Sequence, residues 1–266
     1  MPGPNNPLRV SLVQFEIAWE DPLANCSFLE EKLQQLVNQT DVVVLPEMFS
    51  TGFSMNDQGA EIGHGPVTKW LKLMANRLNA LVIGSVKYKE KNQLFNRCMA
   101  ITPNGESFIY DKKHLFRMGG EDQIYSAGKD SCIISYQNWN IAPFICYDLR
   151  FPVWSRNINL AYDLAIYVAN WPAVRSHAWN TLLRARAIEN LSYVVGVNRI
   201  GQDGNEIQYQ GDSALISYLG TDLLNLSKED TIQTYAISKT DLMEFRAKFP
   251  ANLDADHFEL INKSYF

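Results

Sequence analysis

The run Asp41–Leu45 (DVVVL) constrains the fold more than any other feature of the chain. Successive side chains of a strand point to opposite faces, so an unbroken apolar run leaves no face for water. Such a strand needs cover on both sides. Ala80–Val86 (ALVIGSV) repeats the pattern, and Leu164–Ala169 (LAIYVA) reads as a further strand. Between them lie stretches with helical spacing: Leu23–Val37, Pro66–Leu78 and Ser176–Asn190. Buried strands interleaved with helices predict sheets covered by helices, a layered α/β architecture.

The remaining elements fit that scheme. Arg9–Phe15 (RVSLVQF) alternates like a strand, and Asn96–Ile101 and Glu106–Tyr110 flank the turn Pro103-Asn104-Gly105 as a hairpin. Ser131–Ser135 and Asn140–Cys146 read as strands across another turn, and Val153–Asn159 as a short helix. Tyr193–Asn198 and Ser213–Ser217 read as strands separated by the turn-rich Gly201–Gly211. Thr231–Ile237 closes the strand set, and Lys239–Lys248 forms a helix before a polar tail. No repeat, low-complexity tract or linker interrupts the 266 residues, so a single domain spanning residues 1–266 is expected.

Composition narrows the partners. A net charge of −5, with no basic run beyond Lys112-Lys113, gives no surface for nucleic acid. No apolar stretch approaches the roughly 18 residues that span a bilayer. Met1–Pro7 lacks the charged and apolar regions of a secretory signal. Cys26, Cys98, Cys132 and Cys146 are far apart and form no CxxC pair. That argues against a zinc site or disulfide framework and suits a reducing cytoplasm, though an even number leaves disulfides open.

Three segments place a reactive side chain where a strand ends. Val44-Leu45-Pro46-Glu47 stops a buried strand at a proline and sets Glu47 among apolar neighbours. A carboxylate desolvated there suits general-base work, although a surface loop Glu reads equally well from this segment alone. Ile145-Cys146-Tyr147-Asp148 ends a strand on a thiol, where backbone N–H groups of the following turn are positioned to hold an oxyanion. The bland reading of Cys146 is a buried core cysteine. Tyr110-Asp111-Lys112-Lys113-His114-Leu115 follows an apolar strand, so one lysine points inwards while its neighbour points out; a solvated basic pair is the commoner meaning.

Taken together, in this order and with these flanks, the three segments resemble the nitrilase (carbon–nitrogen hydrolase) superfamily, whose catalytic set is Glu–Lys–Cys. The resemblance runs from Val13-Gln14-Phe15 to Arg186-Ala187-Ile188-Glu189-Asn190 and beyond. It implies Glu47 as general base, Cys146 as nucleophile and Lys112, two residues before the histidine of the Lys-x-His-Leu motif, as the catalytic lysine. Tyr147 would lend its backbone N–H to the oxyanion. Glu121 matches a second glutamate of many members, which either orients Lys112 or the substrate amide, or forms a loop salt bridge. The implied fold is a four-layer α-β-β-α sandwich, usually paired into homodimers, with no metal or organic cofactor.

The strings Leu45–Phe53, His114–Glu121 and Cys146–Pro152 look like the bacterial omega-amidase branch. The implied substrates are terminal amides of small dicarboxylic acids, 2-oxoglutaramate and 2-oxosuccinamate. A free carboxylate on the substrate calls for an arginine, whose planar fork binds it bidentately; Arg117, Arg150 and Arg175 are the candidates. Arg150 reads more readily as an ion-pair partner of Asp148 or Glu189. Phe116 and Trp171 are candidate pocket walls, His177 and Trp179 read as packing or interface, and His114 reads as a structural hydrogen-bonder. The alternatives are another amide, nitrile or N-carbamoyl substrate, a catalytically silent scaffold member, or a redox-sensing Cys146.

Overall fold

The computed structural model describes residues 7–260, so most of Met1–Pro7, the segment tested for a secretory signal, and the last six residues of the tail lie outside the described residues. Two sheets dominate. The first has seven strands in the order Thr231–Ile237, Leu8–Gln14, Val42–Val44, Leu81–Glu90, Gln93–Ile101, Ser107–Asp111, with Glu61–Ile62 added beside Leu81–Glu90. The second has six, in the order Asp222–Asn225, Ala214–Ile216, Tyr193–Asn198, Leu164–Ala169, Trp139–Ile145, Ile134–Tyr136.

Each sheet has a parallel centre. Val42 pairs with Val10 on one side and Leu81 on the other, and Leu164 with Ile141 and Tyr193. The apolar run Asp41–Leu45 is covered on both faces. Val42 and Val44 join the core shared with the second sheet, while Val43 and Leu45 join a separate core under the helices Pro22–Leu33 and Pro66–Leu78. Burying each valine contributes about 1.5–3 kcal/mol relative to exposure. On the far side, helix Ser176–Asn190 lays Trp179, Leu183 and Ala187 over the second sheet. Gly196 permits this approach, since a Cβ there would lie 2.5 Å from Leu183 Cδ1. The result is the expected α-β-β-α sandwich.

Helix Pro66–Leu78 shows how the chain fixes an element end. Pro66 takes the first helical position, and the Glu61 carboxylate accepts the N–H groups of Val67 (3.1 Å) and Thr68 (2.9 Å). Asn79, left-handed at φ 53°, ends it.

Several boundaries differ from the sequence reading. Val153–Asn159 forms no helix; the only helical turn there is a 3-10 turn at Ile158–Leu160, with Asn159 left-handed at φ 55°. Asn157 bonds both Asn190 and Tyr162, and these polar anchors hold the segment as a loop. The strand expected at Ser131–Ser135 lies at Ile134–Tyr136, and Trp139–Ile145 stops one residue before Cys146. Within Gly201–Gly211 the chain folds back as a ribbon, Ile200–Gln202 against Gln208–Gln210. Asp222–Asn225 and Glu61–Ile62 are too short for hydrophobic alternation to announce them.

Candidate active site

The parallel strands of both sheets deliver functional side chains from their C-terminal ends. Glu47 follows Val42–Val44, Cys146 follows Trp139–Ile145, and Asn170 follows Leu164–Ala169. Lys112 extends the edge strand Ser107–Asp111, its N–H donating to the Asn96 carbonyl at 2.9 Å. Cys146 opens a 3-10 turn, Cys146–Arg150, at φ 44°. A non-glycine residue held left-handed is strained by about 1–2 kcal/mol, and the surrounding bonds must maintain it. Asp148 supplies several of them: it accepts Ile145 N (3.1 Å), Tyr110 Oη (2.7 Å) and His114 N (3.0 Å), and pairs with His114 Nδ1 (2.8 Å). This ties the thiol turn to the lysine loop and gives His114 the structural bond expected of it.

At the centre lie two carboxylates and one ammonium, all buried. Lys112 Nζ donates to Glu47 Oε1 at 2.8 Å and to Glu121 at 2.9 and 3.0 Å. Glu47 and Glu121 are both 0% exposed and Lys112 is 1% exposed. Asn96 Nδ2 reaches Glu47 Oε1 (2.7 Å) and Glu121 Oε1 (3.2 Å), and the backbone N–H of Asn170 donates to Glu47 Oε2 at 2.7 Å. Asn170 Nδ2 also donates to the Glu47 carbonyl at 2.5 Å. Glu121 is held further by Phe116 N at 2.6 Å, and the Phe53 ring lies 5.0 Å from Lys112 Nζ. Cys146 Sγ lies 3.8 Å from the Asn170 carbonyl.

Burial pushes the Cys146 thiol well above its ordinary range, Glu47 and Glu121 push the same way, and Lys112 opposes them. Lys112 is held above its usual value: desolvation works against its charge, and Glu121 and Glu47 more than offset it. Burial raises Glu121, with Lys112 opposing. The resting cluster therefore carries a neutral thiol beside a charged lysine.

These groups open into a cavity of about 700 Å³, with Glu47, Lys112 and Cys146 in its wall. Phe116, Tyr147, Arg150, Trp171 and Arg175 also line it. Arg117 does not. Its side chain is 87% exposed and pairs with Asp122 at 3.4 Å, although Met118 and Gly119 of the same 3-10 turn line the cavity. The ion pair expected of Arg150 is likewise not formed. Asp148 is occupied by Tyr110 and His114, Glu189 by Arg186, and the Arg150 guanidinium lies 4.9 Å from the Trp171 ring. Lys113 turns the other way from Lys112, its ammonium 4.9 Å from the Trp154 ring. Asn96, Ser85 and Asn170 were not singled out in the sequence. The available signal was polar residues inside otherwise apolar strands or at a strand's exit. Among the described residues no group of three or more His, Cys, Asp or Glu is arranged to hold a metal ion.

The sequence profile of the carbon–nitrogen hydrolases matches residues 9–247. The chain belongs to the carbon–nitrogen hydrolase family. Omega-amidase YafV of Escherichia coli K12 is 44% identical, covering 98% of this chain and 100% of its own. A 2-oxoglutaramate amidase of Bacillus subtilis is 29% identical over 91% of this chain and 95% of its own. The carbon–nitrogen hydrolase XC1258 of Xanthomonas campestris, solved with an arsenic adduct in its active site, superposes with a TM-score of 0.94. It is 45% identical, covering 96% of this chain and 99% of its own. Saccharomyces cerevisiae Nit3, at 23% identity and a TM-score of 0.83 over 92% of this chain and 95% of its own, shares the fold.

Proposed function

We propose that the chain is an amidohydrolase releasing ammonia from the terminal amide of a small dicarboxylic monoamide, 2-oxoglutaramate or 2-oxosuccinamate. The observation that carries this reading is the convergence of Glu47, Lys112 and Cys146 on one cavity that Arg150 and Arg175 also line. The omega-amidase relatives support the substrate class.

Glu47 takes the thiol proton of Cys146, and the sulfur attacks the amide carbonyl. Lys112 has three N–H donors, which rest on Glu47 Oε1 and both oxygens of Glu121; because the two Glu121 oxygens can share one donor, another is released to the developing oxyanion. The Tyr147 N–H joins it, since an amide in the first turn of the Cys146–Arg150 helix has no earlier carbonyl of that turn to bond. The C–N bond breaks as Glu47 returns its proton to nitrogen, leaving a thioester and ammonia. Glu47 then activates water, and hydrolysis restores the thiol and frees the acid. Glu121 neither gains nor loses a proton; it holds Lys112 and the Phe116 loop in place.

Arg175 and Arg150 are assigned to the substrate carboxylate. Among the described residues neither has a carboxylate partner, and both line the cavity. Arg175 is half-buried with its guanidinium 5.5 Å from the Phe116 ring, whereas Arg150 is exposed, so Arg175 is the stronger anchor. The four cysteines are free and no described helix is long and apolar enough to cross a membrane; we infer a reducing compartment such as the cytoplasm. A homodimer is inferred from the family resemblance, and sedimentation at micromolar concentration tests it. Ammonia release from 2-oxoglutaramate, compared with glutamine, a simple aliphatic amide and a nitrile, tests the substrate class.

A further inference from the structure

Glu47 has two oxygens, and the surroundings treat them differently. Oε1 accepts two donors, Lys112 Nζ at 2.8 Å and Asn96 Nδ2 at 2.7 Å. Oε2 accepts one, the Asn170 N–H at 2.7 Å. The thiol and Oε2 meet at the same residue, because Cys146 Sγ lies 3.8 Å from the carbonyl of that same Asn170. A carboxylate oxygen that already receives two N–H groups is a poor site for a third hydrogen, so the open lone pair belongs to Oε2.

Asn96 is itself held in one orientation. Its Oδ1 accepts Ser85 Oγ at 2.8 Å, and Ser85 Oγ accepts Met48 N–H at 2.9 Å. The chain of bonds fixes which end of the amide faces the carboxylates, leaving Nδ2 to donate to both Glu47 and Glu121. Asn96 and Ser85 are both 0% exposed, so no water replaces either partner. Neither lines the cavity.

We propose that Asn96, oriented by Ser85, is a positioning residue that blocks Glu47 Oε1 and so directs proton exchange with Cys146 and the leaving nitrogen through Oε2. The S–H bond of Cys146 breaks as an O–H bond forms on Oε2. That hydrogen leaves on the nitrogen as the C–N bond breaks, and Oε2 is again free to take a proton from water. Without Asn96, Oε1 becomes a competing site that faces Lys112 rather than sulfur. A proton resting there is lost to the reaction.

This inference rests on Glu47 being the general base, and the experiment separates the two. Turnover of 2-oxoglutaramate is measured across pH for wild type, Glu47→Gln, Asn96→Ala and Ser85→Ala, with folding followed by circular dichroism and thermal melting. The expected result is a dead Glu47→Gln. Asn96→Ala should lose about 10–100-fold in kcat with KM within about twofold, as loss of proton-transfer efficiency does. Its pH profile should change along with kcat, because a donor to Glu47 Oε1 has gone. Ser85→Ala should show the same signature, smaller in size, and carries the test if Asn96→Ala does not fold. A folded Asn96→Ala or Ser85→Ala with wild-type kcat and pH profile overturns the proposal, as does a loss confined to KM. An active Glu47→Gln instead removes the general base on which it rests.

Discussion

Lys112 Nζ sits 2.8 Å from Glu47 Oε1 and 2.9 Å from Glu121 Oε2, one cation serving two carboxylates with almost no access to water. Charges desolvated to this degree tolerate each other only as a set. Removing the cation leaves two like charges facing each other in a medium that screens them poorly.

Lys112→Ala should therefore abolish turnover and also destabilise the fold by about 3–5 kcal/mol, the range for breaking a buried ion pair from one side. Lys113→Ala, removing an ammonium next to the Trp154 ring, should cost no more than about 1 kcal/mol and leave kcat near wild type. Urea unfolding with parallel assays checks both. A silent Lys112→Ala paired with a dead Lys113→Ala would reverse the assignment of the two lysines.

Arg175→Gln should raise KM for 2-oxoglutaramate about 10–100-fold, equivalent to about 1.4–3 kcal/mol of lost charge-assisted binding, with a smaller effect on kcat. Arg150→Gln should do less, and Arg117→Gln should do nothing, since that side chain lies outside the cavity. Steady-state kinetics on the three variants decides the order. Equal effects at Arg117 and Arg175 would mean that the carboxylate is held elsewhere.

Gly128 packs against the lysine strand, its N–H donating to Lys112 O at 2.8 Å, and a Cβ there would lie 2.0 Å from Asp111 O. Because the obstructing atom is backbone, Gly128→Ala must displace the residue that carries Lys112. The expected result is a loss of about 1–3 kcal/mol in stability together with reduced kcat. Thermal melting and turnover read the two effects. An unchanged melting temperature would show that the segment relaxes freely.

The thiol makes a prediction about pH. Burial is the largest influence raising Cys146, and Glu47 adds to it. A thiol raised in this way is protonated at pH 7, and its thiolate appears only as pH climbs towards the raised value. In Glu47→Gln the base is gone but the burial remains, so alkylation by iodoacetamide should be slow at pH 7 and still rising at about pH 9. A plateau below neutrality would instead indicate a resting thiolate paired with Lys112. Cys26, pushed up to about 12 by burial and by Glu61 and Glu30, should stay unreactive throughout.

How much of this the sequence disclosed depends on how local the signal is. The valines of Asp41–Leu45 divide between two cores because strand geometry alone requires it, so the layered fold was legible. Glu47, Lys112 and Cys146 stand at strand exits with recognisable flanks. Asn96 and Asn170 were not legible, because their meaning comes from bonds to Glu47 across 49 and 123 residues of chain. Arg117 shows the same limit: adjacency to a site string does not fix the direction of a side chain, and here the guanidinium is exposed beside Asp122. Val153–Asn159 has apolar residues that suit a helix, yet Asn157 binds Asn190 across the fold and Tyr162 nearby, and these bonds win.

The most direct test of Cys146 as the nucleophile of an omega-amidase is ammonia release from 2-oxoglutaramate by the wild-type chain and by Cys146→Ala. The expected result is turnover of this amide well above that of glutamine, a simple aliphatic amide or a nitrile, lost by at least about a thousandfold in the variant. An inactive wild type, or a Cys146→Ala protein that still turns the amide over, would contradict it.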